Sequence, residues 1–87
     1  MTHDEVLGFI RESLTATLDE PVEVGPETNL IEGDILDSLD GMRFLFELEK
    51  RVSVLFPEEE LPDGHFFVIE NIIQFILEAK RTEAASA

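Results

Sequence analysis

Cysteine, tryptophan and tyrosine are all absent from this chain of 87 residues. Without cysteine the chain can form no disulfide, no thiolate metal site and no cysteine nucleophile, and its redox compartment is left open. The length is sufficient for one domain with one modest core and excludes two. We predict a single domain over residues 1–81 and a disordered tail over residues 82–87.

Basic residues are scarce. Six Lys and Arg stand against 20 Asp and Glu, which gives a formal net charge of −14. Such a charge disfavours nucleic acid and anionic membrane surfaces as partners, since both are polyanions, and predicts basic protein patches instead. Because 44% of the residues are hydrophobic and fall into periodic runs, we expect the chain to fold despite this charge.

Long apolar runs are also missing. The most hydrophobic stretch, residues 66–77, is interrupted by Glu70, Asn71 and Gln74 and is too short to cross a bilayer. The first five residues include two acids, Asp4 and Glu5, where a secretory signal needs positive charge. We therefore expect no membrane span and a cytoplasmic location.

The spacing of apolar residues predicts three long helices, over residues 4–18, 37–52 and 67–80. One short helical turn fits around residues 58–61, between two proline-containing breaks. A long loop over residues 19–29 follows the first helix, and loops of that length are often functional. We predict an all-α fold, a small four-helix bundle of three long helices and one short helix.

Two apolar residues follow that loop directly. Leu30 and Ile31 come after a segment that contains two prolines and a glycine. We expect both side chains to plug the core from the loop.

The start of the second helix has the chemistry of a phosphate site. Asp37 offers an N-cap carboxylate, and Asp40 lies in the first turn, where the helix dipole favours an acid. Ser38 would stand among unpaired backbone N–H groups at the positive end of the dipole, which suits a phosphate group. From these residues alone, the alternative that Asp37 and Ser38 simply cap a helix stays open.

The surrounding sequence resembles the phosphopantetheine-attachment region of acyl carrier proteins. The similar segment is residues 30–48, with Asp34, Leu36, Asp37-Ser38-Leu39-Asp40 and the apolar Met42, Leu45 and Leu48. Residues 56–61, Phe-Pro-Glu-Glu-Glu-Leu, are similar to the I-P-D-E-E stretch that follows the second helix of that family, and residues 68–72 are similar to its fourth helix. The resemblance covers about residues 4 to 80.

This resemblance implies a covalent 4′-phosphopantetheine on Ser38, with Asp37 and Leu39 flanking the attachment point. A phosphopantetheinyl transferase would attach the arm from coenzyme A with Mg²⁺. The thiol of the arm would hold an acyl or aminoacyl group as a thioester for a loading ligase or transferase and for downstream synthase enzymes. The resemblance implies a carrier, not an enzyme, and we expect a monomer.

The resemblance also places partner docking on the loop and the second helix, and we name five candidate docking residues: Asp34, Asp40, Met42, Arg43 and Glu47. In bacterial fatty-acid carriers the second helix is strongly acidic, whereas here cations are interspersed, Arg43, Lys50 and Arg51. This difference favours a specialised lipid or secondary-metabolite pathway. An aminoacyl or peptidyl carrier of a nonribosomal or stand-alone ligase system remains an alternative, as does an acidic helical interaction module without a prosthetic group.

Other residue patterns were weighed against this interpretation. Ser38, Asp40, Gly41 and Glu47 match four positions of a calcium-binding EF-hand loop, but Leu36 occupies its first ligand position. Gly41 costs roughly 1 kcal/mol inside a helix relative to Ala, which is either tolerated or permits close approach of the arm or a partner.

The histidines and phenylalanines have simpler interpretations. His3 and His65 lack metal-pair spacing and are expected to be solvated. The phenylalanines are expected in the core, with the further hypothesis that some of them border a cleft for an apolar acyl chain: Phe44, Phe46, Phe66 or Phe67.

Overall fold

The computed structural model describes residues 1–56 and 64–86, without the side chains of Ser38, His65 and residues 83–86. Within these residues the regular structure is helical. The chain forms α1 (His3–Leu18), α2 (Ser38–Val52) and α3 (Ile69–Ser86), and a short 3₁₀ helix, Gly64–Phe67, precedes α3. The predicted all-α class is confirmed. The short helix predicted around residues 58–61 lies outside the described residues.

Helix α1 begins with a capping box that links Thr2 and Glu5. The Glu5 N–H donates to the Thr2 hydroxyl at 3.2 Å, and the Thr2 N–H donates to the Glu5 carboxylate at 3.0 Å. These two bonds satisfy donors that the helix start leaves unpaired. Val6, Ile10 and Leu14 are fully buried, and Leu7 and Leu18 are partly buried against the core.

Helix α2 packs on α1 through one broad face. Its buried residues are Gly41, Phe44, Leu45, Leu48 and Val52. Leu39 and Phe46 are 71% and 57% exposed, so the expectation that the phenylalanines lie in the core is wrong for Phe46. At 100° per residue both point away from the face that Phe44 and Leu48 bury.

Helix α2 ends at a left-handed residue. Ser53, the C-cap, has φ 56° and ψ 40°, and its N–H donates to the Glu49 carbonyl at 2.9 Å. Glycine adopts this conformation without the penalty of a Cβ atom. We expect Ser53→Gly to raise the free energy of unfolding by about 0.5–1 kcal/mol, measured by urea denaturation. A loss of stability would show that the serine side chain contributes more than the strain costs.

Helix α3 contributes the centre of the core. Ile69, Ile72, Ile73 and Ile76 are all fully buried, as their helical spacing predicts. Its end differs from the prediction, because the helix continues past residue 80 to Ser86. The backbone of residues 82–86, predicted to be a disordered tail, is therefore helical. Its two alanines are the residue type with the highest helix propensity.

Four phenylalanine rings, from the segment after α2, the 3₁₀ helix and α3, pack against one another. Phe66 has edge contacts with Phe56, Phe67 and Phe75 at ring-centroid distances of 5.6, 5.9 and 5.7 Å. Phe56 and Phe75 lie 5.5 Å apart. Edge-to-face pairs of this kind stabilise a core beyond the area they bury.

None of the helices in the described part of the chain has the length and the hydropathy that a bilayer crossing requires.

Candidate functional site

The first turn of α2 is fixed by Asp37. Its carboxylate accepts the N–H of Asp40 at 2.7 Å, and its backbone carbonyl accepts the N–H of Gly41 at 2.8 Å. Asp37 is the N-cap, as predicted, and Ser38 is the first residue of the helix. The side chain of Ser38 lies outside what the structure describes. The helix start nevertheless provides the positive dipole end and the N–H groups that suit a phosphate.

Asn29 organises the turn that leads to this helix. Its side-chain oxygen accepts the N–H groups of Ile31 and Glu32 at 3.0 and 2.9 Å, and its carbonyl accepts the N–H of Gly33 at 2.9 Å. A Cβ atom at Gly33 would lie 2.8 Å from the same carbonyl oxygen, so this position requires glycine. Asn29 was not among the residues predicted from the sequence, although an asparagine that bonds the backbone two residues later is a known turn signal.

The chain then folds back on Leu30. The Leu30 carbonyl accepts the N–H groups of Ile35 and Leu36 at 3.1 and 2.9 Å. The side chains of Leu30 and Leu36 are 0% and 2% exposed, so both anchor the turn in the core. Leu30 plugs the core as predicted, while Ile31 is only partly buried against it. Asp34, between these anchors, is exposed with a left-handed backbone, φ 59°.

The long loop is attached to the start of α3. Leu30 donates its N–H to the Phe67 carbonyl at 3.0 Å, and Ile69 donates its N–H to the Thr28 carbonyl at 2.9 Å. The N–H of Glu70 donates to the Pro26 carbonyl at 2.9 Å. These bonds hold the loop on the body of the domain, so the segment that enters the Ser38 site has a defined path.

Gly41 allows close packing at the first turns of α2. A Cβ atom there would lie 3.3 Å from the side chains of both Ile31 and Phe67. The glycine thus faces the loop and the 3₁₀ helix inside the molecule. Gly41 does permit close approach, but the groups that approach it are side chains of the same chain, where the sequence suggested the arm or a partner.

The predicted docking residues fall into two groups. Arg43 is exposed, Met42 is half-buried, and Asp40 lies beside Arg43 with 3.8 Å between its carboxylate and the guanidinium. Glu47, in contrast, is engaged within the domain. Its carboxylate accepts from Arg51 at 2.9 Å and lies 3.4 Å from Lys50.

Arg51 also connects two helices. Its guanidinium lies 3.7 Å from the carboxylate of Glu12 on α1 while it donates to the carbonyl and the carboxylate of Glu47. Of the three cations on α2, Arg51 is therefore used for the α1–α2 contact. Arg43 and Lys50 remain at the surface, with side chains 61% and 71% exposed.

The Arg51 network gives a pH prediction. The hydrogen bond from Arg51 and the charge of Lys50 lower the pKa of Glu47. A lowered pKa in the folded state adds stability above the ordinary value near 4.5, which is lost as the pH falls through the lowered value. We expect Glu47→Gln to melt below Glu27→Gln at pH 7, and the two to converge in strong acid. Glu27 is an exposed loop carboxylate, so it controls for the loss of one negative charge.

The calcium-loop alternative is excluded, because Ser38 to Glu47 is α-helical and a calcium loop must wrap around its ion. Residues 1–56 and 64–86 contain no group of three or more acidic or histidine side chains placed to hold a metal ion. His3 is half-buried and bonded, with Nε2 3.0 Å from the Glu70 carboxylate, while the side chain of His65 lies outside the described residues.

The four phenylalanines named for a cleft separate into two sets. Phe44, Phe66 and Phe67 are buried in the core, whereas Phe46 is exposed on the opposite face of α2. Phe46 therefore cannot border an interior cleft together with the other three.

Comparison with protein-family models, with curated proteins and with solved structures finds no match to this chain.

Proposed function

We propose that this chain is a carrier protein that holds an acyl or aminoacyl group as a thioester on a 4′-phosphopantetheine arm attached to Ser38. The observation that supports the proposal most is the position of Ser38, directly after the N-cap and at the first residue of α2. A phosphodiester formed there would sit at the positive end of the helix dipole.

The neighbours of Ser38 fit such an attachment. Asp37 is exposed, but its carboxylate already accepts the Asp40 N–H at 2.7 Å, which fixes the negative charge at the cap. Leu39 is 71% exposed. A transferase can therefore reach the backbone on both sides of Ser38 without unfolding the helix.

The chemistry assigned to the chain itself is limited. The Ser38 hydroxyl oxygen would lose its proton and form a bond to the phosphorus of the pantetheine phosphate, while the pyrophosphate bond of coenzyme A breaks and adenosine 3′,5′-bisphosphate leaves. When bound, the arm supplies a terminal thiol that forms the thioester. The anchored loop and α2 position this serine, and the reactions of the cargo belong to partner enzymes.

The proposal includes a four-helix bundle, in which the predicted short helix around residues 58–61 completes the three described helices. It also includes a monomer in the cytoplasm and a specialised lipid or secondary-metabolite pathway. The exposed cations of α2, Arg43 and Lys50, favour partners other than those of a strongly acidic carrier.

Intact mass spectrometry tests the proposal. After incubation with coenzyme A, Mg²⁺ and a broad-specificity phosphopantetheinyl transferase, we expect one phosphopantetheine group per chain. An unchanged mass, with a known carrier modified in the same reaction, would overturn the proposal and leave the acidic interaction module as the better alternative. An aminoacyl or peptidyl carrier would gain the same mass, and the adenylating ligase that loads it would distinguish the two.

A further inference from the structure

The face of α2 opposite the core contains no acidic residue. Leu39, Arg43, Phe46 and Lys50 follow one another at intervals of four, three and four residues, which places them along one face of a helix. Leu39 and Phe46 are 71% and 57% exposed, and the side chains of Arg43 and Lys50 are 61% and 71% exposed. We call these four residues the outward stripe.

Acidic residues flank the outward stripe and are more buried. The side chains of Asp40 and Glu47 are 30% and 31% exposed. They lie 3.8 and 3.4 Å from the stripe cations Arg43 and Lys50, which are long contacts whose cationic partner is exposed to solvent. Pairs of this kind are weak, so each cation can exchange its contact for a carboxylate of a partner.

The composition of the stripe is that of a protein interface. Aromatic residues and arginine are enriched at interface centres, and acids are depleted there. Here an exposed phenylalanine and leucine alternate with two cations on a chain whose net charge is −14. The overall negative charge predicts a basic partner, but this face is locally apolar and cationic and therefore favours an acidic one.

We propose that the outward stripe docks a protein partner whose surface presents an apolar recess edged by carboxylates. Leu39 and Phe46 enter the recess, and Arg43 and Lys50 pair with the carboxylates. From Leu39 to Lys50 the stripe rises by eleven residue steps, about 16 Å at 1.5 Å per residue, and it begins beside Ser38. The inference rests on the proposed function in one respect, since that function is what brings a partner enzyme to this end of α2.

Two synthetic helical peptides serve as probes. One has leucine and glutamate alternating along one face, and the other has lysine at each glutamate position. In about 0.15 M salt the Debye length is about 8 Å, so the distant carboxylates of the chain are screened while contacts at the stripe are not. Binding is measured from changes in the backbone amide chemical shifts of the isotope-labelled natural chain. We expect the glutamate peptide to bind α2 about fivefold more tightly than the lysine peptide. Tighter binding of the lysine peptide, or shifts on another face, would overturn the inference.

Matched variants separate local from global charge. Arg43→Glu and Arg81→Glu change the net charge equally, and each arginine is exposed with a carboxylate three residues before it, Asp40 or Glu78. We expect Arg43→Glu to remove the preference for the glutamate peptide and Arg81→Glu to keep it. Equal behaviour of the two variants would contradict a specific role of the stripe.

The apolar part has its own pair of variants. We expect Phe46→Ser to weaken binding of both peptides severalfold. Leu55→Ser, at a leucine that is 83% exposed outside the stripe, is expected to leave binding unchanged. Equal losses in the two variants would argue against the stripe as the docking surface.

Two other occupants are tested on the same variants. A molecular mass in solution that doubles as the protein concentration rises, but stays at the monomer value in Phe46→Ser, would assign the stripe to a second copy of the chain. Phe46-dependent binding to phosphatidylglycerol vesicles would assign it to a membrane. Either result overturns the protein-partner inference.

The peptide experiment does not require the arm. A chain that shows the glutamate preference but is never modified at Ser38 removes the proposed function and leaves the stripe. A chain that is modified but shows no preference removes the inference alone.

Discussion

Ser38→Ala is expected to abolish the gain of one phosphopantetheine group that we expect of the natural chain with coenzyme A and a transferase. The hydroxyl of Ser38 is the proposed nucleophile, and alanine has no atom that could form the phosphodiester. Because Ser38 is the first residue of α2 and alanine is a good helix former, the variant should keep its fold. Intact mass gives the modified fraction, and circular dichroism confirms the helix content.

Two variants on α2 act as controls for this result. Ser53→Gly replaces the serine at the opposite end of the same helix and should be modified as fast as the natural chain. Asp37→Ala removes the cap to the Asp40 N–H and should cost about 1 kcal/mol of stability, with slower but not abolished modification. A persistent mass gain in Ser38→Ala would place the attachment at another residue.

The helices were predictable because their signal is local and repeated. Apolar residues at intervals of three and four along α1 and α3 bury their side chains as the spacing requires, for example Ile10, Leu14, Ile72 and Ile76. The N-cap at Asp37 was equally predictable, since a carboxylate just before an apolar helix can accept the unpaired N–H groups of its first turn.

Helix α2 shows where apolar spacing stops being sufficient. Apolar residues occupy more of its circumference than one neighbour can cover, so the sequence alone cannot say which of them face outward. In the structure Gly41 lies on the inward side, where its missing side chain lets Ile31 and Phe67 approach to contact distance. Leu39 and Phe46 lie on the other side and are exposed to solvent.

The path of the long loop depends on contacts that no local pattern specifies. Its backbone bonds join residues about forty positions apart, such as Leu30 to Phe67 and Thr28 to Ile69. The charge contacts of α2 are of two kinds: Glu47 and Arg51 form an i,i+4 pair that helix spacing predicts, whereas the contact of Arg51 with Glu12 on α1 follows from packing. The three cations of α2 could be identified from the sequence, but the one that packs against α1 could not be distinguished from the two exposed ones.

Leu30→Ala is expected to lower the free energy of unfolding by about 2–5 kcal/mol. The side chain of Leu30 is fully buried, and it anchors the turn that leads to Ser38. A small domain commonly has a total stability of about 5–15 kcal/mol, so this loss would be a large share of it. Urea unfolding followed by far-ultraviolet circular dichroism is the suitable measurement, because the chain has no tryptophan or tyrosine for fluorescence.

Leu39→Ala is the matched control, since it deletes the same atoms from a leucine that is 71% exposed. Surface substitutions of this kind usually change stability by no more than about 0.5 kcal/mol. The two variants also differ in what they should do to function. Leu30→Ala releases the turn before α2 and should slow modification of Ser38 through loss of the folded state, whereas Leu39→Ala should affect partner binding with stability unchanged. Similar losses of stability in both would mean that the loop is not anchored through Leu30, and the defined path to the Ser38 site would have to be abandoned.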